Sequence, residues 1–432
     1  MPAALTFTPT TGREDRAEPF LPIVDVLAPA LLVMYFVLTF RPLELTFYFP
    51  GFASSGLFPL LSLGVLLLTP TDRLARIPIP WAILAYVAWL VASYAWTEID
   101  FSTAFLIRSQ LPPLLMLSVL TATIPPARVV RVLLGMFVAL SVWALLNSLA
   151  FSSSRVVNFS ENGLDVGDQV GFRGTFNHKN LLGVFTVYAL CMVLPFARGR
   201  WRRPLIVLCV ALIMGTRSAT AASGLFAVMF AWFWISAIQG QKQRREREVL
   251  FVLSLASAVG AVLLAFGLMP ALLDLYQKDI TFSGRTIIWS ESLVTIGRRP
   301  IQGYGYGGVW LDGQNAVTKE LRSRITFGAA HSHNGAIEVL LQVGIVGLGL
   351  LLLFLGRVFR LVGYAIVRRP LAPYGQWGLL TLLALLLMQI SEPLFEGGHL
   401  GLLIVIWTVL TRLRNDDERP AWVAERRFAT TY

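Results

Sequence analysis

The sequence predicts an all-α polytopic membrane protein of about twelve transmembrane helices with a large outer loop. Three observations carry that prediction. Hydrophobic residues make up 56% of the 432 and charged residues only 14%, a balance outside that of ordinary soluble domains. The mean hydropathy is +0.66. Apolar runs of about 20 residues, enough at about 1.5 Å per residue to cross a bilayer, recur along the chain, and basic residues cluster in alternate connections between them.

Met1 to Glu18 is polar and mixed in charge, so no cleavable signal is expected, and the first apolar run, Leu21 to Phe40, is long enough to remain as a span. Further spans are predicted near 51–69, 78–96, 105–124, 129–150, 179–197, 204–216, 219–238, 249–272, 335–356, 373–391 and 399–412. Repeats and low-complexity linkers are not visible, so residues 1–432 read as a single membrane domain. The basic connections are Arg73 with Arg76, Arg128 with Arg131, Arg198 to Arg203, Lys242 to Arg247, Arg357 to Arg369 and the tail from Arg412. They share one side, which the positive-inside rule makes cytoplasmic. An even number of spans puts both termini there. It also puts loops 151–178 and 273–334 together on the outer face.

The net charge of +11 is explained by that orientation signal, and no nucleic-acid partner is expected. Cys191 and Cys209 both lie in apolar runs, where packing is the natural reading and a disulfide framework is not.

Chemistry is expected in the polar stretch from Asp274 to Glu338, because ionisable groups are costly in hydrocarbon and a long loop carrying them must lie outside it. His178, His331, His333 and His399 all fall near the outer boundary. Interfacial anchoring or helix capping accounts for any one of them. His331-Ser332-His333-Asn334, however, directly precedes a predicted helix from Gly335, whose N-terminus favours a neutral imidazole able to accept a proton. Glu338 either orients an imidazole or complements the helix dipole. Trp289 and the glycine-rich run Gly303-Tyr304-Gly305-Tyr306-Gly307-Gly308 offer aromatic faces to a sugar, or the run is a structural turn.

Arg217 lies in the short break Thr216-Arg217-Ser218-Ala219-Thr220 and should face the bundle interior or an aqueous cavity. Arg173, Lys179, Arg217 and Arg285 are candidates for a phosphate or pyrophosphate clamp, for which guanidinium offers paired donors. Headgroup anchoring is the alternative for Lys179. Asp-x-Asp, His-Glu-x-x-His and paired-Cys motifs are missing, so no metal ligands are expected. A Gly-x-Ser-x-Gly elbow is missing as well, which disfavours a hydrolase. Ionisable groups gather at one rim rather than at mid-membrane, unlike the pattern of a transporter.

Phe172-Arg173-Gly174-Thr175-Phe176-Asn177-His178-Lys179-Asn180, Thr216-Arg217-Ser218, Gly284-Arg285 with Trp289, Gly303-Tyr304-Gly305, and His333-Asn334 before Glu338 and Gly344 follow one another in an order and spacing that resembles the O-antigen ligase and polysaccharide polymerase superfamily. The resemblance implies a multi-pass glycosyltransferase of the bacterial inner membrane with a periplasmic active site. Its donor would be a glycan on undecaprenyl pyrophosphate, transferred with inversion and without nucleotide sugar, metal or cofactor. It further implies that His333 deprotonates the acceptor hydroxyl while Arg217 and Arg285 hold the pyrophosphate. Arg173, His178, Lys179, Asn180, His331, Asn334, Glu338, Tyr304 and Trp289 are then expected around the substrate. Partners would be the lipid-linked glycan, the bilayer, and a flippase and chain-length regulator of the same pathway. The Arg173 to Asn180 segment looks closer to exopolysaccharide polymerases. Ligation to lipid A core, and export of the lipid-linked glycan, are the alternatives.

Overall fold

The computed structural model describes residues 22–40, 58–69, 81–97, 99–151, 171–243, 245–250, 285–310, 315–325, 331–395 and 397–417, with isolated positions and four two-residue strands besides. The helices are α1 (Pro22–Phe40), α2 (Phe58–Leu68), α3 (Trp81–Ala92), α4 (Asp100–Thr123), α5 (Pro126–Ala150), α6 (Lys179–Phe196), α7 (Arg202–Thr216), α8 (Ala219–Gly240), α9 (Arg285–Ile296), α10 (Ala316–Arg324), α11 (Gly335–Val367), α12 (Ala372–Met388) and α13 (Gly397–Asp417). Each expected span overlaps one of them except that at 249–272, which lies largely outside the described residues. Taken singly, α5, α6, α8 and α11 are long and apolar enough to cross a bilayer. The chain is thus a helical, multi-pass membrane protein in which several of the expected spans are short.

The all-α expectation holds for the fold, with two short ladders in one loop besides. Within loop 151–178, β1 (Val156–Val157) pairs antiparallel with β4 (Gln169–Val170), and β2 (Ser160–Glu161) with β3 (Leu164–Asp165). The reason is local. Asn162-Gly163 separates β2 from β3, and that dipeptide suits a two-residue hairpin turn because both positions tolerate positive φ.

Helix α6 is the hub. Nearly every residue from Leu182 to Leu194 is buried, and it packs against α5, α7, α8 and α12. A helix apolar all round belongs in the interior of a bundle. Tyr188, Phe185, Phe137 and Phe40 share the resulting core with Trp377 of α12, which is itself packed between α8 and α11.

Helix α11 is broken at Gly344, whose φ of 65° is left-handed. A Cβ there would collide with the carbonyl of Ile301, so only glycine fits. Breaking a span frees backbone groups that hydrocarbon cannot satisfy. The glycine-rich run satisfies them: Tyr304 N–H donates to Leu341 O (2.9 Å), Gly305 N–H to Gln342 O (2.8 Å) and Ile345 N–H to Pro300 O (2.9 Å). Trp89 Nε1 from α3 adds a bond to Val343 O (2.9 Å). The run is therefore a structural splint on α11.

Helices α6, α8 and α11 begin, and α12 ends, at one end of the bundle. Gly335 N–H donates to Gln389 O (2.8 Å), and Thr220 Oγ1 meets Ser391 Oγ at 2.8 Å, so the start of α11, the start of α8 and the turn after α12 are in direct contact.

Candidate active site

Among the described residues, two outside glycine have left-handed backbones, Arg217 (φ 49°) and His333 (φ 51°). Such conformations persist where neighbours over-determine them, and they cluster at functional sites.

The peptide of His333 is braced on both sides. Its N–H donates to His331 Nδ1 (3.2 Å). Ser332 N–H donates to Glu338 Oε2 (2.9 Å), and Trp289 Nε1 donates to Ser332 O (3.0 Å). Asn334 then caps α11, its Oδ1 accepting from Ala336 N (3.0 Å) and Ile337 N (3.1 Å). Glu338 is buried, and its second oxygen accepts from Gln342 Nε2 (2.8 Å). It therefore holds the loop's backbone and does not touch the imidazole of His333. Trp289 braces that same loop through its indole N–H.

The loop points the rings of His331 and His333 at each other, with centroids 4.0 Å apart. Burial, then Arg285 and His178, push His331 down to about 4, and burial, then His331, Arg285 and His178, push His333 down to about 3. Both rings are neutral at pH 7. His331 accepts at Nδ1, so its proton sits on Nε2.

A residue that sequence reasoning missed organises this cluster. Glu392 Oε1 accepts from Asn180 Nδ2 (2.8 Å) and lies 3.6 Å from Arg285 Nη2, while Oε2 lies 3.8 Å from His333 Nδ1. Burial pushes its carboxyl up, and Arg285 and the Asn180 bond pull it back. Nδ1 of His333 is buried without a hydrogen-bond partner among the described residues. At 3.8 Å the carboxylate is just beyond hydrogen-bond reach of it. The signal was available: Glu392 lies between the spans at 373–391 and 399–412, and alternation of sides puts that connection on the outer face.

The remaining expected residues fall into two groups. Asn180 is in the cluster through Glu392, and Arg285 opens α9 beside it. His178 caps α6, its Nδ1 accepting from Asn180 N (3.1 Å), and burial, then Lys179, push it down to about 4. Lys179 is buried in the first turn of α6, and its charge and that of Arg217 repel. Arg217 ends α7, is exposed, and contacts none of His333, Arg285 or Glu392 among the described residues. Arg173 Nη1 donates to Phe176 O (3.2 Å).

Tyr304 is a correction. Its ring is buried in a small core with Ile288, Val309 and Leu341, and its hydroxyl donates to Thr295 O (2.9 Å), so no ring face is left for a sugar. The glycines around it serve the α11 break instead.

Ligand-type atoms of His331, His333 and Glu392 lie within 4.8 Å of one another and could approach a cation.

Residues 204–352 match the family described as O-Antigen ligase. The chain is also similar to an Exopolysaccharide production protein, ExoQ, of Rhizobium meliloti (strain 1021), with 26% identity over 249 residues covering 53% of this chain and 56% of the relative. The chain thus spans about half the length of the curated relative it matches. The matched family region includes Arg217, Arg285, the histidine loop and the break in α11.

Proposed function

For a chain whose residues 204–352 belong with the O-antigen ligase and polysaccharide polymerase superfamily, we propose a membrane glycosyltransferase that polymerises polyprenyl-pyrophosphate-linked repeat units. The observation that carries this reading is the contact set of His333, Glu392 and Arg285, a neutral imidazole beside a carboxylate that is shared with a guanidinium.

An acceptor sugar hydroxyl attacks the anomeric carbon of the donor glycan. A C–O bond forms there, the bond to the pyrophosphate oxygen breaks, and the polyprenyl pyrophosphate leaves with the electron pair, inverting the centre. His333 takes the hydroxyl proton at Nε2, which requires Nδ1 to carry its proton toward Glu392 Oε2. As the ring becomes cationic, Glu392 closes on it. Its hold on Arg285 weakens in the same motion, and the guanidinium turns to the charge developing on the leaving group. Arg217 stabilises the same charge from the end of α7. The rim faces the periplasm, both termini lie in the cytoplasm, and the membrane is the bacterial inner membrane.

Glu392→Gln keeps the bond from Asn180 with its amide oxygen in the place of Oε1, but it then turns an NH2 toward His333 Nδ1 and cannot pair with an imidazolium. The expected result is a fall of about 10-fold or more in kcat with KM little changed, read from initial rates of glycan transfer.

The relative named for exopolysaccharide production favours polymerisation. Deleting the gene should leave single lipid-linked repeats and no long polymer. Loss of long glycan from lipopolysaccharide with lipid-linked polymer accumulating would assign ligation instead. Transfer by the purified protein should continue in EDTA, and complete inhibition would overturn metal-independent chemistry.

A further inference from the structure

His331, His333 and Glu392 converge from two parts of the chain that no short motif joins. Ligand-type atoms of the two rings and the carboxylate lie within 4.8 Å of one another. In a tetrahedral zinc site, bonds of about 2.0–2.1 Å put neighbouring ligand atoms about 3.3 Å apart, so small rotations of these side chains would close the set on one ion.

The frame that carries them is fixed. Gly335 N–H donates to Gln389 O (2.8 Å), and a Cβ on Gly335 would strike the side-chain oxygen of that same glutamine. The histidine loop and the turn after α12 therefore meet with no room between them. Leu394 N–H donates to Gln389 Oε1 (2.8 Å) and Glu392 N–H to Met388 O (3.1 Å), which holds the turn and sets Glu392 opposite His333.

Two observations point to a ligand. His333 Nδ1 is buried, makes no hydrogen bond among the described residues, and faces Glu392 Oε2 across 3.8 Å. The two oxygens of Glu392 divide: Oε1 accepts from Asn180 Nδ2 (2.8 Å) and faces Arg285, while Oε2 faces the ring. An ion held by Oε2 alone keeps the outer contacts that orient the carboxylate. His331 joins by giving up the bond it accepts from His333 N–H, a small loss beside a metal–nitrogen bond. All three side chains are partly exposed, so the set is open to solvent.

Two imidazoles and one carboxylate suit zinc and similar borderline ions, whereas magnesium and calcium require more oxygen ligands. The Arg285 guanidinium beside the carboxylate opposes a dication and keeps the binding weaker than that of a structural zinc.

We propose that His331, His333 and Glu392 form a reversible site for a zinc-class divalent cation. The site does not depend on the glycosyl-transfer reading; its consequence does. With the lone pair of His333 Nδ1 on the ion, the one ring proton sits on Nε2. That is the opposite tautomer to the one that accepts a hydroxyl proton, and Glu392 is held at the same time. The ion is therefore an inhibitor, and the rate of transfer falls as zinc in the surrounding medium rises.

The test titrates the full-length, tag-free protein in detergent micelles, cleared of metal beforehand, with zinc chloride in a calorimeter. Wild type should bind one ion, and cobalt chloride should give the visible absorption of a tetrahedral complex. Magnesium chloride should not compete. His331→Gln and Glu392→Gln should each weaken zinc binding by about 10-fold or more and lose the cobalt bands. Arg285→Ala should bind zinc more tightly than wild type, a gain that misfolding does not produce. Equal zinc affinity in wild type and the two ligand variants overturns the proposal, as does weaker binding by Arg285→Ala or the absence of saturable binding. In glycan transfer, zinc should inhibit over the range in which it binds, and EDTA should restore the rate. Saturated binding with undiminished transfer would leave the site standing and remove His333 as the base.

Discussion

His333→Asn is expected to cut glycan transfer by about 10²- to 10⁴-fold, the range that a positioned general base contributes. Asparagine is the informative replacement. At φ 51° alanine would add backbone strain, whereas asparagine tolerates the left-handed region, so the fold of the loop is kept and only the proton acceptor is lost. The loss should fall on kcat, with pyrophosphate affinity unchanged. A variant that still transfers glycan at the wild-type rate would remove the base from the mechanism and would favour glycan export. The pH profile provides an independent check. A base works deprotonated, so activity is present above its pKa and lost as pH falls through it. Burial and the cations around His333 hold it near 3 in the free protein, and kcat/KM, which reports the free enzyme, should therefore stay level well below pH 6.5. So low a pKa makes a poor acceptor for a sugar hydroxyl proton. A bound pyrophosphate adds negative charge beside the ring and raises it, so the acid limb of kcat should lie at higher pH than that of kcat/KM. An acid limb of kcat/KM near 6.5 would mean that the imidazole is solvated and not enclosed.

What the sequence displayed and what it hid follow from the range of the interactions involved. Apolar run length places α1, α5, α6 and α8 within a few residues of their ends, and the start of α11, because helices in lipid must satisfy their own backbone and the signal is local. The histidine loop was legible for the same reason: Asn334 as a cap and Gly335 as a helix start are contiguous with His331 and His333. Glu392 was not. It reaches the site through the turn after α12, and nothing within a few residues of it suggests that Asn180, Arg285 and His333 converge there. The glycine-rich run left two readings open, because glycine between tyrosines looks alike whether it approaches a sugar or another backbone. The partner that decides, the opened turn of α11 at Gly344, lies about 40 residues further on and is visible only in three dimensions.

Arg217→Ala should lower kcat/KM by about 10²- to 10³-fold, equivalent to about 2.7–4 kcal/mol, the loss typical of removing one donor to a developing oxyanion. Arg217→Lys should recover only part of it, since an ammonium supplies charge but not the paired donors of a planar guanidinium. The backbone distinguishes charge from shape here. Arg217→Gly relaxes the left-handed strain at φ 49° and should be at least as stable as Arg217→Ala, yet equally inactive, because activity follows the guanidinium. Arg285→Ala should lower kcat/KM by a similar factor, and its effect should depend on Glu392. With the arginine gone, there is no guanidinium for the carboxylate to release as it closes on His333, so removing the carboxylate as well costs less. The double variant Arg285→Ala with Glu392→Gln should therefore lose less than the product of the two single losses. Arg217 and Glu392 share no contact among the described residues, so their losses should multiply. Initial rates for the three single and two double variants read both couplings. Strict multiplicativity for Arg285 with Glu392 would show that the carboxylate does not pass between guanidinium and imidazole during the reaction.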